Sequence, residues 1–267
     1  MDSKVKMRTQ DPKKRITNFD SVELGYNDEE ALEEANRCLQ CKKPMCVTGC
    51  PVGINIPEFI KGIREKDLKH AYEVISDASS LSSVCGRVCP QERQCESKCI
   101  KGLKGEAISI GSLERYVSDM AFENDLVSFK KCKKNGKKVA IIGSGPAGLS
   151  CAGELAKNGY DVTIYEVLEE AGGVLIYGIP EFRLPKNIVK REVNSLKNLG
   201  VKILTNVPIG KALSIDDLKR ENDAVFIASG AGLPNFMGIP GENANEVFSA
   251  NEILTRINLM KAYKKRC

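Results

Sequence analysis

Eight of the eleven cysteines fall between Cys38 and Cys99, and their spacing is the part of the chain best suited to chemistry. The first run is Cys38-x2-Cys41-x4-Cys46-x3-Cys50-Pro51, and the second is Cys85-x3-Cys89-Pro90-x4-Cys95-x3-Cys99. Short spacings let one loop bring three thiolates around a compact inorganic body, while the fourth ligand comes from a distant segment. In two-cluster ferredoxins the last cysteine of a run, the one before proline, serves the other cluster. Cys50–Pro51 ends the first run in that way. Zinc fits less well, because a structural zinc site favours paired C-x2-C units and this chain has one. A disulfide framework fits worse in a chain read as cytoplasmic. The residues point to two [4Fe–4S] clusters. Eight thiolates could form two all-cysteine sites, so spacing alone sets none of them aside.

A second constellation follows. Gly143-Ser144-Gly145-Pro146-Ala147-Gly148 lies between an apolar strand and a helix. In that context the first glycine makes the tight turn, the second admits a pyrophosphate and the third lets helix and strand pack closely. Phosphate oxygens would then sit at a helix N-terminus, where free N–H groups and the dipole favour anions. Glu166, at the end of the next strand, is placed to accept from ribose hydroxyls, and a carboxylate there disfavours a 2′-phosphate. Gly172–Gly173 and the later strand AVFIASGAG match the FAD domain of two-dinucleotide-domain flavoproteins.

These groups need elements to hold them. Residues 1–26 are polar and lysine-rich and are expected to be a poorly ordered lead-in. A helical iron–sulfur domain is expected over 27–130. Asn27 or Asp28 would cap a helix ending at Cys38 and Cys41, with further helices near Pro57–Glu65, Asp67–Ser76 and Gly111–Glu123. A lysine-rich linker, 131–137, leads to a partial FAD-binding βαβ domain over 138–267. Strands are expected at Lys138–Ile142, Asp161–Glu166, Val201–Leu204 and Asp223–Ser229, with helices at Pro146–Asn158 and Lys186–Leu199, so the sheet should be parallel. The fold class is therefore an α-helical, ferredoxin-like two-[4Fe–4S] domain followed by an incomplete Rossmann-like α/β domain.

Composition narrows the class by exclusion. A net charge of +5 without a focused basic face does not suggest a nucleic-acid binder. The N-terminus lacks an apolar signal core and no run of about 18 apolar residues occurs, so a cytoplasmic protein without a membrane span is expected. His70, the only histidine, lies on a lysine-containing helical stretch and reads as a solvated side chain.

The stretches CGRVCPQERQCESKCIKG, IGSLERYV, GGVLIYGIPEFRLPK and MGIPGE resemble the glutamate synthase NADPH small-subunit family. Related proteins are the large subunit of electron-bifurcating NADP–ferredoxin oxidoreductase and the N-terminal part of dihydropyrimidine dehydrogenase. The resemblance implies that Cys38, Cys41, Cys46 and Cys99 hold one cluster. It implies Cys50, Cys89, Cys95 and Glu114 for the other, with Cys85 left over. It also implies FAD against Gly143, Gly145, Pro146, Ala147, Gly148 and Glu166, with Gly172, Gly173 and Leu175 near the flavin and Arg183 near the pyrophosphate or ring edge. No catalytic side chain is expected.

Family members pass a hydride from NADPH to the flavin and single electrons through the clusters to a partner, such as the glutamate synthase large subunit. This chain shows no second G-x-G-x-x-G, so it resembles the front half of such an oxidoreductase and should oxidise NADPH poorly alone. The alternatives are a bifurcating or sulfide dehydrogenase relative, a non-catalytic electron carrier, and last a zinc-stabilised interaction module.

Overall fold

A computed structural model describes residues 3–130 and 132–264; Lys131 of the expected linker and Cys267 lie outside the described residues. The chain divides into two compact units, Met1–Lys130 and Lys131–Cys267.

The first unit begins with order where a loose lead-in was expected. Strand β1 (Arg8–Thr9) is followed by helix α1 (Pro12–Arg15) and by β2 (Glu23–Gly25), which pairs antiparallel with β1. Asp11 caps α1 by accepting from the backbone of Lys13 and Lys14. Apolar periodicity misses this segment because caps and backbone pairing order it. Helix α2 (Asp28–Asn36) starts with a capping box between Asn27 and Glu30. Its Glu34 is fully buried, bonding Arg37 at 2.6 Å and accepting from Val5 N and Ser109 N at 2.8 Å each.

Next come α3 (Met45–Gly49), α4 (Ile56–Arg64), α5 (Leu68–Ala78), α6 (Ser82–Val88) and α7 (Ile110–Glu123). Phe59, Ile60, Tyr72, Ile75 and Leu113 are fully buried between them. Sequence patterning gave α4, α5 and α7 closely but missed α3 and α6, which are short and built around cysteines. Gly86 in α6 presses against α7: a Cβ there would stand 2.6 Å from Arg115 N. Asp119 on α7 completes the junction, bonding Arg87 of α6 at 2.6 Å and Arg115 at 3.5 Å.

The second unit is the expected parallel α/β layer. Its elements are β3 (Lys138–Ile142), α8 (Pro146–Lys157), β4 (Asp161–Tyr165), α9 (Val174–Tyr177), α10 (Lys186–Leu199), β5 (Lys202–Leu204), α11 (Ile215–Glu221), β6 (Ala224–Ile227) and α12 (Ala250–Asn258). The sheet order is β5-β4-β3-β6, all parallel. The chain runs outward from β3 to β5 and then returns to the other side of β3. The crevice at the carboxyl end of β3 is therefore the switch point where such sheets bind ligands. Among the described residues no helix is long and apolar enough to cross a membrane.

Candidate iron–sulfur and dinucleotide sites

Four cysteines from both runs converge in the first unit. Cys38, Cys41, Cys46 and Cys99 line one cavity with Ile56, Ile60, Ile108 and Ile110. Helix α2 hands the chain over at Cys38, whose N–H donates to Ala35 O at 3.1 Å. Gln40 sits at φ +50°, and its amide donates to Pro57 O at 3.0 Å, fixing the C-x2-C turn against α4.

The thiols of this set disfavour one another's ionisation. Burial, then Cys99 and Cys38, push the Cys46 thiol up to about 11; burial, then Cys41 and Cys99, raise that of Cys38. Thiolates so crowded are ionised together only around a positive centre. The donor chemistry thus fits a metal–sulfur group.

The second set gathers around the α6–α7 junction. Cys89 ends α6, Cys50 ends α3, Cys95 is buried, and Glu114 lies buried on α7 at 6% exposure. Burial, then Glu96, Glu114 and Cys50, push Cys95 up to about 12. Cys85 hydrogen-bonds Cys89, which raises its own thiol and lowers that of Cys89; Glu114 adds to the rise at Cys85. Cys50 and Glu114 thus both act on Cys95, while Cys89 and Glu114 both act on Cys85, so Cys85 shares the neighbourhood of the other four. Gly86 made this possible, and its close-approach role could have been suspected from its place between Cys85 and Arg87.

In the second unit the glycine turn is built as its sequence suggested. Gly143 takes φ +101°, and a Cβ there would stand 2.4 Å from Ala228 O. A Cβ on Gly148 would lie 2.0 Å from Gly143 O, so helix and turn touch backbone to backbone. Around Gly145, by contrast, nothing lies within 4 Å of that position. This open space, at the N-terminus of α8 with Pro146 in its first turn and Ala147 beside it, fits the approach of a pyrophosphate. A Cβ on Gly173 would stand 2.8 Å from Gly145 Cα, so the Gly172–Gly173 turn closes one wall.

Glu166 does more here than its expected ribose role. It is buried and accepts from Ser144 N at 2.8 Å, Ser144 Oγ at 2.5 Å and Leu168 N at 2.9 Å. Ser144 Oγ in turn accepts from Gly172 N at 2.9 Å. The carboxylate thus ties both glycine turns together. Glu166→Ala would leave these donors without their acceptor and is expected to cost about 3 kcal/mol of stability. Denaturant unfolding would measure it; an unchanged midpoint would show the tie to be dispensable.

Leu175 is buried, and Arg183 lies exposed in the turn before α10. Three residues past Arg183 is a group sequence reading missed. The Lys186 ammonium donates to Leu175 O and Leu184 O at 3.1 Å each and to Ile179 O, folding the segment over itself. Burial pushes Lys186 down to about 8. Lys186→Met should cost about 2 kcal/mol and loosen the loop that carries Arg183. Limited proteolysis would detect the loosening as earlier cleavage between residues 174 and 185.

Two family profiles divide the chain between them. Residues 15–126 match the family described as dihydropyrimidine dehydrogenase domain II, 4Fe–4S cluster, and residues 137–265 match pyridine nucleotide-disulphide oxidoreductases. The small chain of glutamate synthase [NADPH] from Azospirillum brasilense is 38% identical over 91% of this chain and 51% of its own length. That of Escherichia coli K12 is 38% identical over 91% and 52%. The chain is a homologue of the glutamate synthase small chains. The NAD-dependent dihydropyrimidine dehydrogenase subunit PreT of Escherichia coli O157:H7 is 41% identical over 77% of this chain and 51% of its own.

This small-chain homologue spans about half the length of the curated relatives it matches. Its two domain matches are to a 4Fe–4S cluster family and to the pyridine nucleotide-disulphide oxidoreductases. The first unit carries the 4Fe–4S cluster domain and the second the dinucleotide-binding fold. When bound, the flavin supplies the conversion between a hydride pair and single electrons. Cys38, Cys41, Cys46 and Cys99 would hold a cluster, and the open turn at the N-terminus of α8 would receive the dinucleotide.

Proposed function

We propose that this protein relays electrons from FAD through two [4Fe–4S] clusters to a partner subunit in the cytoplasm. One cluster is assigned to Cys38, Cys41, Cys46 and Cys99, the other to Cys50, Cys89, Cys95 and Glu114. FAD is assigned to Gly143, Gly145, Pro146, Ala147, Gly148, Glu166, Gly172, Gly173 and Leu175, with Arg183 at its pyrophosphate or ring edge. The single observation that carries the reading is the convergence of Cys38, Cys41, Cys46 and Cys99, from both cysteine runs, on one cavity. The influence of Cys50 and Glu114 on Cys95 supports the second set; Cys85, which interacts with Cys89 and Glu114, is left out of it on the resemblance alone.

No acid–base side chain is needed for such a relay. The partner that best fits the small-chain likeness is a glutamate synthase large subunit. The likeness to a subunit named as a dihydropyrimidine dehydrogenase supports a second reading, in which the acceptor reduces a pyrimidine instead.

Anaerobic photoreduction of the flavin, followed by low-temperature electron paramagnetic resonance, tests the relay. Reduced-cluster signals should grow as the flavin is reduced. Full flavin reduction with silent clusters would contradict it.

A further inference from the structure

The two segments that bring Cys38, Cys41, Cys46 and Cys99 together have a chemical bias of their own. Residues 39–45 and 97–105 carry five lysines and no aspartate or glutamate, the second segment being flanked by the half-buried Glu96 and the exposed Glu106. Lys42, Lys43, Lys98 and Lys104 are exposed; Lys101 is half-buried, and its ammonium donates to Arg37 O at 3.0 Å. The same segments expose large apolar side chains. Leu39, Met45 and Ile100 line the cysteine cavity yet are 60%, 48% and 43% exposed, and Leu103 on the same short turn as Ile100 is 81% exposed. An apolar centre with a charged rim is the anatomy of a docking patch, and single-sign lysines select for an acidic partner.

The first cysteine set is also the one nearer solvent. Each of its four cysteines is half-buried, as are Cys50 and Cys89 of the second set, whose Cys95 and Glu114 are buried. An electron leaving the protein has its shortest path to an external acceptor from the set that reaches the surface. Lysines around that exit would steer an acidic acceptor toward it over distances of about a Debye length, about 10 Å at 0.1 M salt.

We propose that the face formed by residues 39–45 and 97–105 is the docking surface for an electron-accepting protein with an acidic rim and an apolar centre. This rests on the relay reading above, and it adds where the acceptor binds and what its surface must be. One electron passes per encounter from the reduced centre to the acceptor's metal; no bond is made or broken and no proton moves.

The test uses the intact, cofactor-loaded protein with two soluble haem proteins as probes: acidic cytochrome b5 and basic cytochrome c. Zero-length carbodiimide cross-linking with peptide mapping should join cytochrome b5 carboxylates to Lys42, Lys43, Lys98 or Lys104. Titration at low ionic strength should show binding that weakens steeply with salt. The charge-reversal variant K42E/K43E/K98E/K104E should weaken cytochrome b5 binding at least about tenfold and strengthen that of cytochrome c. Leu103→Ser should weaken binding while leaving the salt dependence unchanged. Cross-links mapping elsewhere, or binding indifferent to charge reversal, would overturn the docking surface while leaving the relay intact. A sample that contains no iron–sulfur centres would overturn both.

Discussion

Cys95→Ala is expected to remove about four of the about eight irons that two [4Fe–4S] cubanes hold, with the matching sulfide, and to leave the other cluster in place. Cys95 is 8% exposed and lies within the electrostatic reach of Cys50 and Glu114, so its loss opens the second set alone. Cys46→Ala should remove the complementary half, since its thiol responds to Cys99, Cys38 and Cys41.

Cys85→Ala is the informative control. It should keep the full iron count if, as the proposed assignment has it, Cys85 neighbours Cys89 without being a ligand. Its loss should instead shift the reduction potential of the second cluster, which hydrogen bonds to ligating sulfur help to set. Iron and sulfide analysis on anaerobically purified variants decides the matter. If Cys85→Ala lost four irons while Glu114→Ala lost none, the second cluster would be held by four cysteines.

Two glycine substitutions should separate cofactor binding from folding in the second unit. Gly145 sits at φ −64°, ψ 179°, a backbone shape open to any residue, and no atom lies within 4 Å of where its Cβ would be. Gly145→Val should therefore fold, while its side chain fills the space left for a pyrophosphate. FAD affinity should fall by about 3 kcal/mol, roughly a hundredfold in Kd.

Gly148→Ala is different in kind. Its methyl would collide with Gly143 O at 2.0 Å, forcing α8 away from the turn after β3. About 3 kcal/mol of stability should go, and FAD with it. Thermal unfolding and flavin titration on both variants check the pair: Gly145→Val should keep its Tm, and Gly148→Ala should not. A Gly145→Val protein that binds FAD normally would show that the pyrophosphate lies elsewhere.

Much of this was legible in the sequence. The alternation of apolar strands and amphipathic helices gave β3, α8, β4 and α10 nearly to the residue, because each buries a regular face. The cysteine spacing marked the first unit as a metal–sulfur domain, and the glycine spacing marked the crevice at β3.

The rest depended on contacts that spacing does not encode. Helices α3 and α6 are short and cysteine-bearing, so no apolar period announces them. Glu114 reads as an ordinary helix carboxylate until Gly86 brings α6 onto α7. The N-terminal strands rest on backbone pairing and the Asp11 cap, signals that a lysine-rich composition conceals. Lys186 looks like a surface cation; only the fold shows three carbonyl oxygens around it. Glu166 was legible as a dinucleotide-site carboxylate, but its tie to Ser144 depends on how the two glycine turns meet.

The central proposal is that one chain holds two iron–sulfur clusters and a flavin site. Anaerobic purification followed by iron, sulfide, zinc and flavin analysis tests it most directly. The expected result is a brown protein with about eight irons and about eight acid-labile sulfides per chain and negligible zinc, able to take up FAD. A colourless protein with one or two zincs and no sulfide would contradict it.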